Sequence, residues 1–242
     1  MNTLSIMKAA TFTPTSHGWG VPILWEGKPG VGKTSRIHEL AKFGLHVEVL
    51  VGSVRAPTDI GGFPMPDNGT MKLIPPHFAE VVTKAKRAVI FADELNTSPP
   101  AVQAAFLRAM LEKVVGDTQL PGGVRWMAAC NSVEDAAGGW DLAAPLANRL
   151  GHLQWDSPSA DAWSQWMLAD VDKKIVAEQS AEDIEDFVLA EWPVPWAKAR
   201  GLVAGFIKRK PELLFRMPTA GDPNASKAWP SPRSWENAAR AL

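Results

Sequence analysis

The strongest constraint on this chain is an eight-residue string, Gly27-Lys28-Pro29-Gly30-Val31-Gly32-Lys33-Thr34, which satisfies the pattern G-x-x-x-x-G-K-[ST]. An apolar run at 21–25 precedes it and apolar residues at helical spacing follow over 34–43, so it sits at a strand-to-helix turn. Glycines in such a turn let successive backbone N–H groups converge on phosphate oxygens, and the following helix presents the positive end of its dipole there. Gly27, Pro29, Gly30, Val31 and Gly32 are therefore expected to wrap the phosphates of a nucleotide. Lys33 is expected to reach the β- and γ-phosphates, and Thr34 to hold Mg2+ through its hydroxyl.

The remainder of the chain obeys the rhythm that this turn demands. Short apolar runs at 21–25, 47–51, 88–92, 124–130 and 152–155 read as buried strands, and helical patterns lie between them, most clearly at 34–43 and 100–111. Strands alternating with helices imply a parallel sheet covered on both faces. Two stretches interrupt the rhythm: 61–76 carries the turn Asp67-Asn68-Gly69, and 114–120 carries Gly116-Asp117, so each reads as an inserted hairpin. Beyond about Asp156 strand runs give way to helical patterns at 160–178, 181–190 and 196–210. A Pro-, Gly-, Ser- and Asn-rich loop at 216–232 then leads to a last helix from Ser234, which would end after barely two turns at Leu242, as expected of a shortened chain. The expected fold is α/β: a five-stranded parallel P-loop NTPase sheet over 1–156 with two inserted hairpins, and a small helical lid domain over 157–242.

Composition narrows the function classes. A formal net charge of -1 gives no electrostatic argument for a nucleic-acid partner. No stretch approaches the ~20 apolar residues of a membrane span, and the N-terminus has neither a basic leader nor a sustained apolar run, so the chain is expected in the cytoplasm. The one cysteine, Cys130, lies in the apolar run at 126–130 and reads as a structural thiol.

Hydrolysis of a nucleotide needs a carboxylate for the metal and a base for water. Ala88-Val89-Ile90-Phe91-Ala92-Asp93-Glu94 supplies both at the end of an apolar strand. Alternation along the strand separates their directions: Asp93 is expected to bind Mg2+, and Glu94 to polarise the attacking water. Taken alone, two acids after an apolar run mark a solvated strand end; paired with the phosphate loop they speak for ATP hydrolysis. The next strand ends in Asn131, at the carboxyl edge where open α/β sheets bind ligands, and Asn131 is placed to orient water with Glu94.

These residues together resemble AAA+ ATPases, and within them the MoxR-like branch. The branch-specific stretch is Asn96-Thr97-Ser98-Pro99-Pro100-Ala101-Val102-Gln103-Ala104-Ala105-Phe106-Leu107-Arg108-Ala109-Met110-Leu111-Glu112, which is similar to the family segment that follows its acidic pair. The resemblance implies that Asn131 is a sensor-1 residue and that Asn148-Arg149-Leu150 supplies an arginine finger. Family members more often have Phe where Leu150 stands. Ser231-Pro232-Arg233-Ser234 resembles the sensor-2 segment, in which an arginine at the start of a lid helix touches the γ-phosphate from the smaller domain. Read without the resemblance, Arg149 is a helix-end arginine satisfying carbonyls and Arg233 a solvated one. The resemblance further implies an ATP- and Mg2+-dependent motor, a homo-oligomeric ring of six, and a partner carrying a von Willebrand factor A domain. Two other classes stay open: a nucleic-acid-directed AAA+ ATPase, for which the inserted hairpins carry little positive charge, and a nucleotide-gated scaffold, whose loss of base or finger is not seen in Glu94 and Arg149.

Overall fold

Strands β1 (Ile23–Glu26), β2 (His46–Val51), β3 (Ala88–Asp93), β4 (Val124–Cys130) and β5 (Gly151–Gln154) form one parallel sheet in the order β5-β1-β4-β3-β2. The computed structural model describes residues 3–131, 139–168, 179–219, 222 and 225–242. The central strands β1, β4 and β3 are almost continuously buried because both faces are covered, whereas the edge strand β2 alternates His46 and Glu48 with Val47 and Val49. Leu24, Ile90, Trp126 and Ala128 enter one core with helices α4 and α5, whereas Trp25, Phe91, Met127 and Ala129 enter a second with α1, α2 and α8. These helices are α1 (Thr3–Thr11), α2 (Lys33–His38), α3 (Pro57–Gly61), α4 (His77–Ala85), α5 (Pro100–Glu112), α6 (Ala144–Ala147), α7 (Ala160–Leu168), α8 (Ala181–Glu191), α9 (Pro193–Arg209) and α10 (Pro232–Ala241).

Both expected hairpins are present, Phe63–Asp67 with Thr70–Ile74 and Val114–Val115 with Thr118–Gln119. Asn68 and Gly69 both take positive φ, 47° and 80°, as a two-residue turn matching the strand twist requires. That hairpin leaves Phe63, Met65, Met71 and Ile74 exposed. A further pairing, Pro14–Thr15 with Gly18–Trp19, lies before β1 and was not anticipated.

Several boundaries differ from expectation. The pattern at 34–43 splits into α2 and a 3-10 turn over Glu39–Phe43, closed by Gly44 at φ 74°. The last helix begins at Pro232, two residues early, because Ser231 caps it through Ser234 N–H at 3.1 Å. Of the helix expected over 160–178, α7 covers the first half and 169–178 lie outside the described residues.

The C-terminal helices attach to the amino edge of the sheet through buried charge. Glu185 of α8 accepts from Arg125 of β4 and, at 3.0 Å, from Arg87 just before β3. Arg125 is also tied to Thr11 O at 3.2 Å. Nearby, Lys113 is buried and donates to the carbonyls of Trp19, Gly122 and Val124 at 3.4, 3.2 and 2.8 Å. No helix among the described residues is long and apolar enough to cross a membrane.

Candidate functional site

The phosphate loop leaves β1 at Glu26 and re-enters helix at Lys33. Gly30 and Gly32 take φ of 77° and 86°, a region that side-chain-bearing residues rarely adopt, and a Cβ at either would meet nothing within 4 Å. The loop is therefore a cradle open on one side. Its floor is aromatic: Trp155 donates its backbone N–H to Glu26 O at 2.7 Å, crowds Gly27, and packs edge-on against Trp25 with centroids 5.1 Å apart. Lys33 Nζ donates to Gly27 O at 2.6 Å, Lys28 O at 3.0 Å and Asn131 Oδ1 at 3.2 Å. Burial lowers its pKa, opposed chiefly by the charge of Asp93.

Thr34 Oγ1 donates to Asp93 Oδ2 at 2.6 Å, so a hydroxyl and a carboxylate converge across the mouth of the loop. This pair of hard oxygens suits Mg2+, which keeps most of its shell as water and phosphate and needs few protein ligands. Glu94 turns away from them. Its backbone is left-handed, φ 54° and ψ 41°, and its carboxylate accepts from Ser53 Oγ at 2.6 Å. Asn96, buried, donates to Asn131 O at 3.0 Å and holds the end of β4 against the turn after Glu94.

A family model for the "ATPase family associated with various cellular activities (AAA)" matches residues 22–150, just over half of the chain. The chain belongs to the AAA ATPase family. Among solved structures, this AAA protein is similar to a candidate ATPase from Cytophaga hutchinsonii, with 23% identity and a TM-score of 0.51. The match covers 75% of this chain and 54% of the other, so the chain spans about half the length of that protein. At that identity the likeness shows the fold alone: a five-stranded parallel P-loop NTPase sheet with a helical C-terminal region. No curated protein matches the sequence significantly.

Within the AAA fold, Gly27 to Thr34, Asp93, Glu94 and Asn131 are gathered at one carboxyl edge. Arg149 and Arg233 are not among them. Arg149 Nη1 donates to Pro145 O at 2.7 Å, closing the end of α6 as a helix-end arginine does, and its Nε is buried with no hydrogen-bond partner among the described residues. Burial, then the charge of neighbouring Arg233, lowers the Arg149 pKa.

Sequence reasoning missed other residues at this edge. Ser53 carries no motif, and its contact with Glu94 joins residues 41 apart in sequence. Lys227, with Ser226, lines a pocket beside the loop together with Glu26, Asn131, Trp140 and His152. A single lysine in a Pro- and Gly-rich loop gives no sequence signal. Burial lowers the His152 pKa, and its Nε2 lies 2.9 Å from Ala147 O. Burial, reinforced by Glu26, pushes the Cys130 thiol up to about 12, which rules it out as a nucleophile near neutral pH.

Proposed function

We propose that this AAA protein is a Mg2+-dependent ATP-hydrolysing motor of MoxR type, acting as a ring of six copies on a protein partner. The observation that carries the reading is the 2.6 Å Thr34–Asp93 contact at the mouth of the glycine cradle, with Glu94 held apart from it. Gly27, Pro29, Gly30, Val31 and Gly32 wrap the phosphates, and Lys33 exchanges its carbonyl partners for phosphate oxygens. Thr34 and Asp93 would hold Mg2+, which would supply neutralisation of phosphate charge. Asn131 and Glu94 orient water; Glu94 takes its proton as the water oxygen bonds to phosphorus and the bond to the ADP oxygen breaks. Arg149, from the neighbouring copy, steadies the charge on the transferring group, and residues 157–242 act as the lid.

A protein partner is favoured over nucleic acid by the exposed hairpin. Its apolar Phe63, Met65, Met71 and Ile74 face solvent, and its one lysine, Lys72, is paired with Asp67. A backbone-tracking surface would offer free positive charge. A von Willebrand factor A domain protein as the partner, drawn from the branch resemblance, and a cytoplasmic location complete the reading.

The test is turnover of ATP as a function of subunit concentration. Activity per subunit should rise as copies meet, Lys33→Ala and Arg149→Ala should each be inactive, and mixing the two should restore activity. Turnover that stays constant down to proven monomer removes the ring from the mechanism.

A further inference from the structure

We infer that the corner following α9 is a peripheral docking surface for an anionic lipid bilayer. Phe206, Leu214, Phe215 and Met217 enter its interfacial layer, and Lys208, Arg209, Lys210 and Arg216 meet its headgroups. The chain as a whole carries a net charge of -1, yet residues 206–217 hold four cations against one acid, Glu212, in twelve positions. Charge and apolar side chains are interleaved there in one short stretch.

The fold turns both kinds of side chain outward. α9 ends at Arg209, a 3-10 turn over Pro211–Leu213 follows, and all four cations are exposed. Phe206, Leu214, Phe215 and Met217 are each at least 40% exposed. Exposed apolar side chains scattered singly are ordinary, but four within twelve residues form a patch that asks for a partner.

The corner is held in shape beforehand. Phe206 packs against Trp235 of α10 with centroids 5.5 Å apart, and Trp235 Nε1 donates to Leu213 O at 2.8 Å. Phe215 meets Trp229 edge-on at 5.6 Å, and Arg216 N–H donates to Pro230 O at 2.9 Å. Two tryptophans therefore anchor the stretch on both sides of its turn, so docking costs little ordering of the backbone.

Charge complementarity identifies the occupant. The acids of the neighbouring helices are engaged elsewhere: Glu182 and Glu185 of α8 pair with Arg87 and Arg125, and Glu236 of α10 pairs with Arg240. Among the described residues none of the four cations of the corner is in an ion pair. An anionic bilayer answers both needs, since its surface attracts the cations and its headgroup boundary takes up the apolar side chains. Nucleic acid would satisfy the cations but leave Leu214 and Met217 in water, because aliphatic side chains offer no ring for a base to stack on. A cytoplasmic leaflet carries the required negative charge, in keeping with the location proposed above.

Vesicle flotation without nucleotide tests the surface independently of hydrolysis. The protein should float with phosphatidylcholine vesicles containing about one-third phosphatidylglycerol, should not float with phosphatidylcholine alone, and should be released by salt. Lys208→Gln combined with Lys210→Gln should lower the partition coefficient about 25-fold, roughly fivefold per cation. Met217→Ser should lower it roughly fivefold through lost apolar contact. Melting temperatures should stay at the wild-type value, because these side chains project into solvent. Should the double variant unfold, Lys210→Gln alone, beyond the end of α9, should still show the single-cation loss. Folded wild-type protein that ignores anionic vesicles, or that binds neutral ones equally well, overturns the inference. Unchanged binding by Met217→Ser overturns it too, since adsorption by charge alone involves no interfacial entry. A single-stranded oligonucleotide or polyglutamate bound more tightly than the vesicles overturns it in favour of nucleic acid or an acidic protein.

Discussion

Lys33 and Lys113 stand at opposite edges of the sheet and are almost equally buried, 8% and 6% exposed. Each donates to three oxygens, and burial lowers the pKa of both, that of Lys113 to about 8. Their company differs. Lys33 has Asp93 and Glu94 opposing the effect of burial, and its acceptors are two carbonyls of a glycine loop and one side-chain amide. Lys113 has the like charge of Arg125 beside it, and all three acceptors are backbone carbonyls. The same ammonium is a crosslink where its partners are fixed backbone, and an anion receptor where loop and acids can release it.

The comparison breaks most visibly at the carboxylates that distinguish Lys33. Glu94→Gln should cut ATP turnover by about 10²- to 10⁴-fold, because the amide cannot accept a proton, with ATP affinity and melting temperature nearly unchanged. Steady-state turnover within a few-fold of wild type would take the base role from Glu94. Lys33→Ala should weaken ATP binding about 10- to 100-fold in calorimetric titration, in line with the ~1.5–3 kcal/mol of charge-assisted hydrogen bonds, and leave folding stability almost intact.

Lys113→Met should do the opposite. Three carbonyls lose their donor, so denaturant unfolding should show a loss of about 1–3 kcal/mol while ATP affinity holds. A tenfold loss of ATP affinity in this variant would erase the distinction between the edges. Acidity sharpens the same contrast. Folded Lys113 titrates near about 8 and the unfolded side chain near 10.5, so between those values the unfolded chain holds more protons. Stability contributed by this site is lowest below pH 8 and rises toward pH 10.5, by at most about 1.4 kcal/mol per pH unit. The stability of wild type relative to Lys113→Met should therefore grow over that window.

Local signals explain what was legible beforehand. Apolar runs bounded by turns located all five sheet strands to within two residues, and the Asp67-Asn68-Gly69 turn located the exposed hairpin. Phosphate loop and acidic strand end are contiguous strings, so their residues could be named from spacing alone. Helix α4 had a readable pattern in Phe78, Ala79 and Val82, but its short span between a hairpin and a strand hid it. Arg125, Lys113 and Glu185 were not readable, because a charged residue in an apolar run discloses its burial only when a partner 60 positions away is seen, as Glu185 is for Arg125. For the same reason Arg149 and Arg233 were singled out, but their meeting through Asn148 and Ser231 was not.

The aromatic floor of the phosphate loop has an optical consequence. The chain has 11 tryptophans and no tyrosine, so its near-ultraviolet emission comes from indole without a tyrosine background. Trp155 lies against Gly27 through its backbone oxygen and Cβ and packs edge-on against Trp25, and Trp140, 52% exposed, lines the pocket beside Asn131. Filling the cradle changes the polarity around these indoles, which makes the unlabelled protein its own fluorimeter for nucleotide entry and leaves Trp155→Phe as the variant that assigns the signal.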